Sequence, residues 1–177
     1  VSVPPLPEGE PAPELTDPHT LLEGYLDHYR RTLLRKIAQL SEEELRVSRL
    51  PSGWTPLELV RHLQHVEQRW LVWGFMAEQV AEPWGDQDPS SGADRWCVPE
   101  GTGTREVIEA FERQCERSRR VTAGAELGRR AAVGGRFATF EQAPSLAWIL
   151  FHLLQEYARH VGQLDVVVEL AGGGTGE

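Results

Sequence analysis

The 177-residue sequence predicts an all-α fold, a four-helix bundle, from three observations. Apolar residues recur at three- and four-residue spacing in four long stretches. Helix-start chemistry stands at the head of those stretches. No run alternates apolar and polar residues convincingly enough to build a sheet. A long irregular connection separates the second and third helices. If it crosses the length of the bundle, the helices run up-up-down-down, and that is the topology expected.

Residues 1–16 carry Pro4, Pro5, Pro7, Pro11 and Pro13 among Glu and Gly. Such a segment cannot bury a face, so it reads as an extended arm. Asp17-Pro18 is an N-cap followed by Pro in the first turn. Leu21, Leu22, Tyr25, Leu26, Tyr29, Leu33, Ile37 and Leu40 then give a first helix of about six turns. Ser41-Glu42-Glu43-Glu44 is a capping box that opens a short helical turn ending near Val47. Thr55-Pro56-Leu57-Glu58 combines a Thr cap, Pro at the first helical position and Glu at the third. The second long helix follows to about Gln79, with Leu59, Leu63, Val66, Trp70, Trp73 and Ala77 as its apolar line.

Residues 82–103 hold seven Pro and Gly and no periodicity, the mark of a crossover or lid. Trp84, Trp96 and Val98 suggest that it packs on the body. Thr104 is read as the cap of a third helix to about Ala123, buried through Val107, Ile108, Phe111, Cys115 and Val121. Residues 124–144 read as loop, with 136–140 extended. Ser145 opens a fourth helix that Gly172-Gly173-Gly174 stops. The expected organisation is thus an arm (1–16), a bundle (17–171) and a flexible tail (172–177).

Composition narrows the function classes. The formal charge of −9, with no basic block to offset the acids, argues against a nucleic-acid surface. Seventeen of the 18 basic residues are Arg, which reflects genomic base composition first. Cys97 and Cys115 have no metal or redox spacing and read as free thiols in a reducing cytosol. No signal-peptide pattern and no bilayer-length apolar run is visible, so a cytoplasmic location without membrane contact is expected.

Glu156 and His160 stand four apart and rise from one helix face. Ile149, Leu153, Leu164 and Val167 share that face within about a quarter-turn. A carboxylate aimed into an apolar side needs compensation by an Arg or a metal. His62 lies in the apolar line of the second helix. Two imidazoles and one carboxylate suffice to hold Zn²⁺ or a similar ion with a coordination position left open. Against this, an isolated His on an apolar face is more often a hydrogen-bonded core residue, and Glu-x-x-x-His is common on helix surfaces. Spacing alone leaves the two readings level.

Other polar residues gather around these three. His152, one turn before Glu156, has four readings: a fourth ligand, a group orienting Glu156, an acid/base lining the pocket, or a partly exposed histidine bonded to backbone or water. His65 points beside His62, nearer the solvent boundary. Arg69, two turns past His62, is placed to bind a substrate carboxylate or to pair with an acid. Trp70 and Trp73 read as core filling, and Arg159 as facing solvent or a partner.

Gly53-Trp54-Thr55, His62 eight residues after the Trp, and Glu156-x-x-Arg159-His160-x-Gly162 together resemble the DinB/YfiT-like superfamily. The stretches 157–165 and 33–41 are similar to its uncharacterised actinobacterial branch. The likeness spans about residues 18–171. Many members use three His ligands. Glu156 in the first position of the fourth-helix pair is similar to the His, Glu, His pattern of mycothiol-dependent maleylpyruvate isomerase. That pattern carries over onto His62, Glu156 and His160. The isomerase has a further C-terminal domain that contributes to its site and is not among these residues, so maleylpyruvate isomerisation itself is not expected.

The resemblance implies a divalent ion, zinc first and Ni, Fe or Mn after it. It also implies a low-molecular-weight thiol such as mycothiol as cosubstrate, a small-molecule substrate and a homodimer. The leading expectation is therefore a metal-dependent thiol transferase or isomerase. A non-catalytic, dimerising metal-binding module is the alternative. A third reading pairs Glu156 with Arg69 and needs no metal.

Overall fold

The computed structural model describes residues 9–87 and 95–176, and among them it is helical with no strand. The elements are α1 (Pro18–Ile37), α2 (Glu42–Arg46), α3 (Pro56–Glu67), a π-helical segment (Gln68–Phe75), α4 (Thr104–Thr122) and α5 (Leu146–Leu170). No helix is long and apolar enough to cross a membrane.

Local chemistry starts each helix as its sequence dictates. The Asp17 side chain accepts from the Thr20 backbone N–H at 2.8 Å, with Pro18 at the first helical position. Ser41 with Glu44, and Thr55 with Glu58, form reciprocal capping boxes. Each satisfies two N–H groups that the helix itself leaves unpaired, so loss of the capping hydroxyl costs about 1 kcal/mol. Ser145 caps α5 through the Trp148 N–H. At α4 the cap is Gly103 rather than Thr104. The Thr104 hydroxyl is engaged elsewhere, donating to Glu42 at the start of α2.

α1 packs chiefly on α5 and α3 chiefly on α4, with α3 also meeting α5. Between them lies one apolar core that includes Leu26, Leu33, Leu63, Phe111, Leu153 and Leu164. Each is essentially removed from water, a state worth about 1.5–3 kcal/mol per side chain of this size.

The second long helix departs from its sequence reading. It ends at Phe75 rather than Gln79, and its last eight residues are π-helical. The Met76 N–H bonds back to the Leu71 carbonyl, five residues earlier. A π turn carries an extra residue, which moves the buried line. Leu71 and Phe75 enter the core, while Trp70, Trp73 and Ala77, expected to fill it, are half-buried.

The chain leaves the segment through Ala77 at φ 55°, the left-handed region that a residue with a Cβ seldom adopts. The loop 132–137 locks against this exit. Ala132 N–H bonds Phe75 O at 3.0 Å and Arg136 N–H bonds Trp73 O at 3.1 Å. A Cβ at position 135 would stand 2.2 Å from Trp73 O, so only Gly fits there. Residues 136–140, expected to be extended, are turns and bends instead.

The ends of the described chain also lie on the body. Pro11 packs over Gly24, and Gly9 O accepts from Arg31 at 3.0 Å. Residues 172–176, read from composition as flexible, are hydrogen-bonded: Gly173 N–H to Val168 O and Gly174 N–H to Gln39. Residues 1–8 of the arm lie outside the described residues, as do 88–94 of the long connection and Glu177.

Candidate metal centre

His62 stands two turns into α3, and Glu156 and His160 one turn apart on α5. The α3–α5 contact brings the three together, with one ligand-type atom of each within 4.8 Å of the others. His160 Nε2 is 3.2 Å from Glu156 Oε2, and His62 Nε2 is 4.0 Å from the same oxygen. The two imidazoles meet edge to face with centroids 5.0 Å apart.

The far side of each ring is held. His62 Nδ1 is 2.8 Å from Asp86 Oδ2, and His160 Nδ1 is 2.8 Å from Gln163 Oε1. An oxygen acceptor at each Nδ1 calls for the proton on that nitrogen. Both Nε2 lone pairs are then left facing the Glu156 carboxylate. Three acceptors pointing at one another repel unless a cation lies between them. The donor set therefore fits a divalent ion, and an imidazolium is the other way to relieve it. With a proton on Nε2 instead, hydrogen bonding by His160, and then by His62, holds the Glu156 carboxyl well below the usual range despite partial burial.

Asp86 belongs to the long connection and is fully buried. Arg69 takes both of its oxygens in a fork, with Nη2 3.2 Å from Oδ2, and also donates to Pro83 O at 3.1 Å. Burial alone would push the Asp86 carboxyl up, yet the bonds from His62 and Arg69 outweigh it and hold it at about 2. Arg69 thus pairs with Asp86, not with Glu156, which removes the metal-free Glu156–Arg69 reading. Arg69 is also occupied where a substrate carboxylate would need it free.

Aromatic rings close round the site. Trp96 stacks on His62 with centroids 3.9 Å apart and stands edge-on to His160 at 5.1 Å. Trp54 of the Gly-Trp-Thr turn touches Trp96 in turn. On the other side His152 stacks on Trp148 and packs on Trp70 with centroids 4.4 Å apart. His152 Nε2 lies 3.5 Å from Glu156 Oε1, the oxygen turned away from the other two histidines. It stands outside the three-residue group. Burial lowers the His152 pKa, with Arg136 adding to that and Glu156 opposing it.

His65 is not near the solvent boundary, as its helical position suggested. It is buried, Nδ1 has no hydrogen-bond partner, and burial pushes its pKa down to about 4. Gly85 packs on its ring, where a Cβ would come within 2.9 Å. A surface depression of about 700 Å³ along α4, between Gln64 and Arg120, includes none of the three candidate ligands.

A second buried cluster went unread in the sequence. Glu67 on α3 accepts from Arg30 Nε of α1 at 2.8 Å, from the Tyr157 hydroxyl of α5 and from Cys115 of α4. Arg30 and Arg119 both bind Asp27. Burial raises the pKa of both Cys115 and Tyr157, so neither is an activated nucleophile.

Asp86 carried no signal and Trp96 only that of packing on the body, because both sit in an aperiodic connection. Gln163, three residues after His160 on the same helix, could have been found from the spacing that relates Glu156 to His160. A family model described as MST, mycothiol-S-transferase, matches residues 21–173 of this sequence. No curated protein matches it.

Proposed function

The chain belongs to the mycothiol-S-transferase family, a DinB/YfiT-like family, and on that premise we propose a metal-dependent transferase that joins a thiol to a small electrophile. The observation that carries the reading is the convergence of His62 Nε2, His160 Nε2 and the Glu156 carboxylate on one point, with each Nδ1 tied back. We assign those three residues as the ligands of a divalent ion. Zinc is first choice, since two nitrogens and one oxygen suit it and leave a coordination position for a guest. When bound, the ion would make a coordinated thiol acidic enough to be a thiolate at neutral pH.

The chain's own residues do the rest. Asp86 and Gln163 fix the tautomers and orientations of His62 and His160. His152 steadies Glu156 and places an imidazole whose Nε2 can take the thiol proton and return it to the product. Trp96, Trp148 and Trp70 keep water from the reacting sulfur. The sulfur lone pair then forms the new C–S bond. In a substitution the leaving group departs with its bonding pair and takes the proton; in an addition the displaced π pair moves to the neighbouring carbon, which takes the proton back from His152. His152 bonding to Glu156, rather than joining the group as a fourth ligand, favours this over a closed structural metal site.

Mycothiol is the thiol the family points to. The up-up-down-down topology, the boundaries of the bundle at 17–171, a cytoplasmic location and a homodimer are part of the same proposal. The test is metal analysis of protein purified without chelator, joined to a rate measurement with mycothiol and 1-chloro-2,4-dinitrobenzene. About one divalent ion per chain is expected, with a rate above background that His62→Ala and Glu156→Ala abolish. Metal-free protein and a background rate would defeat the reading.

A further inference from the structure

Two arginines lie close together beside the centre, and only one is neutralised. Arg69 is forked onto Asp86. Arg136 stands within electrostatic reach of Arg69 and of His152, and forms no ion pair among the described residues. Its Nη1 is removed from water without any acceptor there. An N–H group left in that condition is satisfied only when an acceptor arrives.

Its surroundings are aromatic. The guanidinium carbon lies 4.1 Å from the Trp70 ring centroid, 5.3 Å from that of Trp84 and 5.9 Å from that of Trp73. Stacking engages the faces of a guanidinium and leaves the N–H groups at its edge available for an oxyanion. The side chain is also preorganised. The loop that carries it is pinned by Arg136 N–H to Trp73 O, by Gln79 Nε2 to Gly134 O at 3.2 Å, and by the obligatory glycine at 135. Trp70 is shared, contacting both Arg136 and His152.

We propose that Arg136 is the anchor for a carboxylate on the electrophilic cosubstrate, whose flat unsaturated or aromatic body lies against Trp70 and Trp148 toward Glu156 and His160. The proposal rests on the transferase reading and adds to it a substrate class, an unsaturated or aromatic carboxylic acid. Lysine could not replace this arginine without loss, since an ammonium has no flat face to stack and no fork to offer.

The test is a titration of tryptophan fluorescence with cinnamate and with its uncharged analogue cinnamamide, on metal-loaded and on chelator-treated protein. Cinnamate is expected to saturate the signal and to bind at least tenfold more tightly than the amide, in both preparations. Arg136→Gln is expected to remove that preference, and Arg136→Lys to restore part of it. Equal affinities in the wild type, absence of saturable cinnamate binding, or a preference untouched by Arg136→Gln overturns the assignment. So does a preference that vanishes with the metal, which would place the carboxylate on the ion. If Arg136→Gln does not fold, the wild-type acid-to-amide ratio and Arg136→Lys still decide. A charge preference in protein that never holds metal leaves Arg136 assigned and defeats the metal reading instead.

Discussion

Glu67 on α3 and Glu156 on α5 each turn a carboxylate toward the inside of the same helical body. Glu67 is fully buried, and Arg30, Tyr157 and Cys115 all point hydrogen at one of its oxygens. Glu156 is half-buried and faces only imidazoles: His62, His160 and His152. A permanent cation neutralises the first acid without any added ligand, because guanidinium stays charged at any working pH, although the second Glu67 oxygen is left without a partner. Imidazoles bring no permanent charge, so the second site is complete only when a proton or a metal ion joins it. The comparison teaches that the kind of counter-group, more than the depth of the acid, separates a structural carboxylate from one held ready for a ligand.

Removing each acid from metal-free protein is the hardest test of that contrast. Glu67→Gln takes from Arg30 its fully buried partner and leaves it only Asp27, and is expected to cost about 3 kcal/mol in denaturant unfolding. Glu156→Gln, among exchangeable imidazoles, should cost under about 1 kcal/mol in the same assay. Equal losses would erase the distinction drawn between the two sites.

A second measurement sharpens the contrast at the proposed ligands. Asp86→Asn keeps the shape but weakens the acceptor that fixes the His62 tautomer. It is expected to lower zinc affinity about 10–100-fold in a competition titration. An unchanged affinity would mean that His62 needs no such support.

The smallest effect concerns His65, a buried imidazole beside the centre with Nδ1 unpartnered. Its pKa is about 4 folded against 6.5 for the free side chain, so the unfolded chain takes up the proton first. Its contribution to stability is therefore present above pH 6.5 and is lost as pH falls through the folded value. About 1 kcal/mol should disappear over the first unit below pH 6.5, and His65→Gln should flatten that part of the profile. A slope that survives the substitution belongs to other groups.

Much of the fold was legible because its signals are local. Asp17-Pro18, the two capping boxes and Ser145 act over four residues, and each starts a helix where the spelling says so. His62, Glu156 and His160 could be picked out as inward-facing because a helix converts spacing directly into direction. That they converge depends on how α3 meets α5, which spacing does not encode. The π segment was illegible for the opposite reason: an inserted residue leaves the composition unchanged and alters only the phase. Trp70 and Trp73 were accordingly placed in the core, and they stand at the aromatic wall that serves His152 and Arg136. Asp86 and Trp96 come from a connection with no period to read. Glu67 did leave a trace, since it follows Leu63 by four residues and precedes Leu71 by four, in the middle of a buried stripe.

Lys36, the single lysine of the chain, is 1% exposed and bonds Asp165 and the Gly176 carbonyl. Every other basic side chain is an arginine or a histidine, so an acylating reagent meets no side-chain amine on the folded surface. Coupling chemistry aimed at lysines will leave the native body untouched. The rate at which Lys36 does become acylated then serves as a clock for transient parting of α1 from α5, the helix that carries Glu156 and His160.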